Sequence, residues 1–195
     1  MVKASAPGKC ILFGEHAVVY GQPALACSIS QRMTIELKVE KTFDTWRLDG
    51  RTFNPKKHPH IDYLRKQLPP IEEHPIHIRI RGSIPKASGL GSSAALSVAL
   101  CGALQQLRGA DLNPMQASEL SHRAEANAQG GRASPMDTAT SSFGGFVVLS
   151  DTIEGDLEYL GVRTMDVEGT TLQWHLHTFN AEIPEGVALV IGNTG

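Results

Sequence analysis

Cysteine is scarce in this chain. The three present, Cys10, Cys27 and Cys101, form no CxxC pair and leave an odd count. All three lie in apolar surroundings, so they are expected to be buried reduced thiols of a reducing cytosol. Neither sign of charge is in excess: 18 Lys and Arg stand against 20 Asp and Glu, for a net charge of −2. That balance gives no global field for nucleic acid or an anionic membrane, and neither is expected as a partner. The longest apolar run, about Ala94 to Leu104, falls short of the roughly 20 residues a bilayer span needs. The opening carries one lysine followed by small residues, Pro and Gly, which is not the pattern of a signal peptide. A cytoplasmic protein is expected. No internal repeat or low-complexity tract is visible.

What is present suits a globular protein: 41% of residues are hydrophobic and 19% charged, enough apolar mass for a core. The 195 residues fit one domain of ordinary size, or one domain and the beginning of another. Arg32 to Glu40 and Ile76 to Ile80 alternate as strands do. Between them, His58 to Gln67 has helical spacing ended by Pro69-Pro70. The basic residues Lys56, Lys57, His58, Arg65 and Lys66 in this region read as a solvated helix face. A second helix begins at Ser92-Ser93 and is apolar nearly all round, so it should be buried. A third opens with Asn113-Pro114, an N-cap followed by Pro at the first helical position, and ends near Gln129-Gly130-Gly131. A short helical piece is expected over Asp137 to Phe143. Strands are then expected at Phe146 to Ser150, Leu172 to Phe179 and Val187 to Ile191. Strands, then paired helices, then strands predict an α+β domain rather than a repeating βαβ one.

Three polar features interrupt this apolar frame. In Lys86 to Leu96 (KASGLGSSAAL), Gly89 and Gly91 permit positive φ and close backbone approach to a ligand. Ser92 and Ser93 then open a helix whose first N–H groups have no partner within it. Such an end carries about half a positive charge and can hold an anion without a lysine. A ligand-free Gly/Ser cap is the alternative. The second feature is Lys9, set before an apolar run that Glu15-His16 breaks just after Gly14. Charges in such flanks meet partners or line a cleft, because burying them alone costs several kcal/mol. His16 taken alone reads as a satisfied core histidine. The third feature is Glu125 with Asp137. Asp137, read as the start of a helix, can be a simple cap. Two carboxylates converging on a glycine-rich anion site would instead suggest a metal and a base, since Mg2+ takes one or two carboxylates plus phosphate oxygens.

These residues resemble the GHMP kinases. That family's phosphate loop has the form P-x-G-x-G-L-G-S-S-A, and Pro85 to Ala94 matches it except at Ala87, where the pattern has Gly. If that position needs positive φ, alanine costs about 1 kcal/mol. The opening stretch Ala6-Pro7-Gly8-Lys9, with Gly14-Glu15-His16 and the residues after it, is similar to the branch that phosphorylates mevalonate. Galactokinases carry Thr-Asp after Gly-Glu-His, and homoserine kinases lack the Glu-His step. Ser134-Pro135, Asp137-Thr138 and Phe143-Gly144-Gly145 resemble the archaeal form of that branch, with one extra residue in the Gly130-Gly131-Arg132 turn. The family has a C-terminal domain with a second glycine-rich motif, which is not found here. We therefore expect the front part of a longer protein. Residues 1–186 would be the ATP- and substrate-binding domain, and residues 187–195 the first strand of a second domain.

The resemblance implies a mixed β-sheet with helices on one face. It also implies transfer of the γ-phosphoryl of ATP to the 5-hydroxyl of mevalonate, giving 5-phosphomevalonate in isoprenoid biosynthesis. Lys86, Ala87, Ser88, Gly89, Leu90, Gly91, Ser92 and Ser93 would wrap the ATP phosphates. Ser93 and Glu125 would hold Mg2+, with Asp137 as base and Lys9 beside it. Glu15 and His16 would order the substrate pocket. Alternatives are a kinase of phosphomevalonate or of the 3-hydroxyl of mevalonate, and a non-catalytic nucleotide-binding fragment. Homodimers are common in the family.

Overall fold

A single long strand organises the sheet. In this computed structural model, which describes residues 1–16, 18, 22–67, 75–85, 88–110, 113–131, 133–167 and 169–192, β1 (Val2–Phe13) pairs antiparallel with β2 (Ala24–Val39) along most of their lengths. The 16 residues of β2 are long enough to receive two further strands in succession on their other edge. Its second half, Met33 to Val39, pairs with β5 (Ile76–Gly82), and its first residues, Ala24 to Cys27, pair with β6 (Phe146–Ser150). The short strands β3 (Arg47–Leu48) and β4 (Arg51–Thr52) extend the β5 side, and the β3–β5 ladder is parallel. The β6 side is extended by β8 (Thr170–Phe179) and then β7 (Glu158–Val167), all antiparallel. The sheet is therefore mixed, as expected.

Among the described residues four helices cover it: α1 (Pro59–Gln67), α2 (Ser92–Leu107), α3 (Pro114–Ala128) and α4 (Pro135–Phe143). The period-2 residues Met33, Ile35, Leu37, Ile76 and Ile78 point to the helix side. There they meet Leu100 and Leu104 of α2 and Ile61 and Leu64 of α1 in one buried cluster. A second cluster joins Ala24, Ala26, Val147, Leu149, Trp174 and Leu176 to Met136 and Ala139 of α4. Helix α2 is buried along nearly its whole length, which is why its sequence carries no polar stripe.

The capping signals act as read at α3: the Asn113 side chain accepts from the backbone N–H groups of Met115 and Gln116. At α4 the helix begins two residues before the expected start. Ser134 is its N-cap, with Pro135 at the first position, so Asp137 lies inside the first turn and does not cap it. The carboxylate is therefore free to face the cleft. The expected strand at Val187 to Ile191 does not form. These residues are irregular and Val190 is 88% exposed. An apolar run becomes a strand only where a ladder partner receives it, and no described strand pairs with it. Conversely, β7 escapes a sequence reading because a register shift between Tyr159 and Gly161 breaks its alternation. Of the cysteines, Cys27 and Cys101 are buried, whereas Cys10 is only half-buried. Burial pushes the Cys101 thiol up to about 11, which keeps it unreactive. Arg65 and Lys66 are paired with Asp62 on the surface of α1.

Candidate active site

The site begins where two glycine-containing stretches interlock. Lys9 donates its backbone N–H to the carbonyl of Leu90 at 3.0 Å, tying β1 to the loop before α2. Gly8 permits that approach, because a Cβ there would lie 2.7 Å from the Leu90 oxygen. Gly91 makes room for the Lys9 side chain: a Cβ at that position would lie 2.8 Å from Lys9 Cγ. The loop is further folded by the Ser88 hydroxyl, which donates to the Pro85 carbonyl at 2.8 Å. Gly89 and Gly91 have φ of +73° and +69°, as their expected role requires. Gly91 caps α2 without any side-chain hydrogen bond, so the positive end of a buried helix faces outward with its first donors unpaired by a cap. Lys86 and Ala87, both expected on the phosphate loop, lie outside the described residues.

Lys9 is 4% exposed, and its Nζ sits 3.1 Å from Asp137 Oδ1 at the start of α4. Some 36% of the Asp137 side chain reaches solvent, as befits a group at the floor of an open cleft. Burial raises the Asp137 pKa, outweighing the opposing pull of Lys9. The negative charges of Glu125 and Glu15 push in the same upward direction. The carboxyl is thus a better proton acceptor than an ordinary aspartate.

Glu125, near the end of α3, is 5% exposed. Its Oε1 accepts from the Ser93 hydroxyl at 2.8 Å and from the Ser97 hydroxyl at 3.0 Å, and its Oε2 accepts from Gln129 Nε2 at 3.1 Å. Burial would raise its pKa. His60, Ser93 and Ser97 together outweigh that, and the net shift is downward, so Glu125 is a fixed anion. His60 of α1 stands 3.4 Å from Glu125 Oε1 and 3.0 Å from Ser93 Oγ.

A cleft of about 440 Å3 is lined among others by Lys9, Glu15, His16, Glu125, Gln129 and Asp137. Glu15 and His16 sit in an exposed turn after Gly14. His16 is therefore not a core histidine. The fold brings Lys9, Glu15, His16, Glu125 and Asp137 to one cleft, and Ser93 meets Glu125 beside it. It also adds His60 and Gln129, which no local signal marks. His60 lies between residues of the basic stretch from Lys56 to Lys66 without being marked by it, and only the packing of α1 on α3 turns it inward.

Among the described residues, no cluster of three or more His, Cys, Asp or Glu could cage a metal ion. The converging Ser93 hydroxyl and Glu125 carboxylate instead form a partial set of hard oxygen donors. They fit a cation such as Mg2+, which completes its shell with phosphate oxygens and water.

Residues 58–145 match the family described as GHMP kinases N terminal domain. With a mixed sheet, four helices among the described residues and a glycine loop feeding a buried helix, the chain carries a GHMP kinase N-terminal domain. Within the family it is similar to archaeal mevalonate kinases. It is 40% identical to the mevalonate kinase of Methanothermobacter thermautotrophicus over 177 residues, covering 86% of this chain and 58% of the relative. Against that of Thermococcus sibiricus it is 36% identical over 189 residues, with 85% and 56% covered. The crystal structure of the Methanococcus jannaschii mevalonate kinase matches with a TM-score of 0.67 at 27% identity, covering 78% of this chain and 56% of that one. The chain thus spans less than two thirds of the length of these relatives.

Proposed function

We propose that the protein transfers the γ-phosphoryl of ATP to the 5-hydroxyl of mevalonate, giving 5-phosphomevalonate and ADP. The observation that carries this reading is the buried Lys9 Nζ held 3.1 Å from Asp137 Oδ1. That pair lies in a cleft that Glu125 also lines, and Glu125 accepts from Ser93 at the start of α2, where Gly91 caps without a side-chain hydrogen bond. The kinship with archaeal mevalonate kinases supports the choice of alcohol over phosphomevalonate or the 3-hydroxyl.

In this reading the loop from Lys86 to Ser93 holds the ATP phosphates through backbone N–H groups and the helix end. Asp137 accepts the proton of the 5-hydroxyl as that oxygen bonds to the γ-phosphorus. The bond from the γ-phosphorus to the bridging oxygen breaks, and its electron pair leaves with ADP. Lys9 lies between base and phosphoryl group and stabilises the charge that develops on the alcohol oxygen. Ser93 and Glu125 would hold Mg2+, which when bound neutralises phosphate charge. Glu15 and His16, at the rim, order the substrate. A cytoplasmic enzyme follows from the same reading.

The direct test is product identity. The full-length protein with ATP and a panel of mevalonate, phosphomevalonate and other small alcohols is expected to phosphorylate mevalonate at its primary hydroxyl, read by 31P NMR. Preferential phosphorylation of phosphomevalonate, or of the tertiary hydroxyl, would replace this reading with its nearest alternative. The electrostatics give a second expectation. Lys9 lowers a carboxyl that burial raises, so Lys9→Met should drive the Asp137 pKa further up. The base form is then lost at a higher pH on acidification. A 13C NMR titration of labelled aspartate reads this directly, and an unmoved or lowered Asp137 titration would contradict it.

A further inference from the structure

We propose that His60 is a positioning residue of the phosphate-binding site, whose Nε2–H orients the Ser93 hydroxyl toward a bound divalent cation. The inference rests on the phosphoryl-transfer reading above and adds to it a residue from a helix that none of the three motifs includes.

A count of hydrogens leads to it. Ser93 Oγ lies 2.8 Å from Glu125 Oε1 and 3.0 Å from His60 Nε2. A hydroxyl has one hydrogen, and an ionised carboxylate can only accept. The Ser93 hydroxyl donates to Glu125 Oε1, so its single hydrogen is used there. The contact with His60 is then a hydrogen bond only if Nε2 carries a hydrogen and donates it. Ser93 Oγ now donates once and accepts once, and one lone pair remains. That lone pair is what a hard cation takes. The same Nε2 lies 3.4 Å from Glu125 Oε1, the carboxylate oxygen that Gln129 does not bond. With the other tautomer, an Nε2 lone pair would face Ser93 and compete with Glu125 for its single hydrogen.

His60 can hold this place because α1 packs on both α2 and α3, the helices that carry Ser93 and Glu125. Its side chain is 23% exposed, and that of Glu125 is 7% exposed. A residue that supports a metal ligand in this way typically contributes 10- to 100-fold in metal affinity.

The experiment uses the full-length protein with ADP and Mn2+ as an EPR-visible cation, so no turnover is needed. His60→Ala should weaken Mn2+ binding by about 10- to 100-fold. His60→Gln, which keeps an N–H at similar reach, should restore most of it. Long-range 1H–15N spectra should show the neutral His60 ring as the Nε2–H tautomer. Unchanged Mn2+ affinity in a folded His60→Ala protein, or an Nδ1–H tautomer, overturns the proposal. Ser93→Ala and Glu125→Gln, measured alongside, separate the two levels of failure. If they lose Mn2+ and His60→Ala does not, only the role of His60 falls. If none of the three affects Mn2+, the metal reading of the site falls with it.

Discussion

Changing Asp137 to Asn in the full-length protein is expected to lower kcat at least about a hundredfold while nucleotide binding is retained. Asparagine preserves the shape and can still accept a hydrogen bond from Lys9, but it cannot take a proton from an alcohol. The substitution also removes the counter-charge of a cation that is only 4% exposed. Breaking a fully buried ion pair costs about 3–5 kcal/mol. Because 36% of the Asp137 side chain meets solvent, the cost here should be nearer the 1–3 kcal/mol of an unsatisfied polar group. The two consequences separate cleanly. A stability loss shows as a lower Tm and is the same with or without substrate, whereas loss of the base appears in kcat of the fully folded enzyme. Calorimetry with ADP and steady-state kinetics at a temperature well below Tm distinguish them. Near-wild-type kcat would remove Asp137 from the chemistry.

Gly91→Ala should be the most damaging single methyl in the loop. The position has φ of +69°, and the added Cβ would lie 2.8 Å from Lys9 Cγ and 3.4 Å from Lys9 Cε. Left-handed backbone costs a non-glycine residue about 1–2 kcal/mol. The clash comes on top of that. Lys9 cannot retreat easily, since its backbone N–H is bonded to the Leu90 carbonyl at 3.0 Å. The ammonium would have to swing away from Asp137. A fall in Tm of several degrees is expected, at roughly 2–4 °C per kcal/mol for a chain of this size. A loss of kcat should accompany it. Gly89→Ala is the internal control: its φ is +73°, but nothing lies within 4 Å of the added Cβ. It should show the backbone cost alone. Equal effects of the two substitutions would mean that the Gly91–Lys9 contact does not matter.

The comparison of Gly89 with Gly91 shows how far a sequence reaches. That both glycines take positive φ is legible from the motif, because φ is a local property and only glycine adopts such values freely. Which of the two makes room for Lys9 is not legible, because β1 and the loop are brought together only by the sheet and α2. The helix starts follow the same division. Asn113-Pro114 marks α3 to the residue, since capping is satisfied within one turn. Ser134-Pro135 carries the same signal for α4, two residues before the start at Asp137 that the spacing suggests. Val187 to Ile191 has the composition of a strand but lacks a partner. Tyr159 to Val167 pairs despite a broken alternation, because β8 is there to receive it.

The sequence by itself determined the elements whose causes are local: the glycine loop, the helix caps, the alternating strands of the core and the residue types of the site. Those hydrogen bonds and steric limits close within a few residues, so neighbouring letters are enough. The tertiary structure alone decided which charges meet. Ser93 and Glu125 are 32 residues apart, and His60 and Ser93 are 33 apart. Their contacts exist because α1, α2 and α3 pack together over one sheet face. Burial there raises the Asp137 carboxyl, while His60, Ser93 and Ser97 hold Glu125 down against burial, through distances that no local pattern encodes.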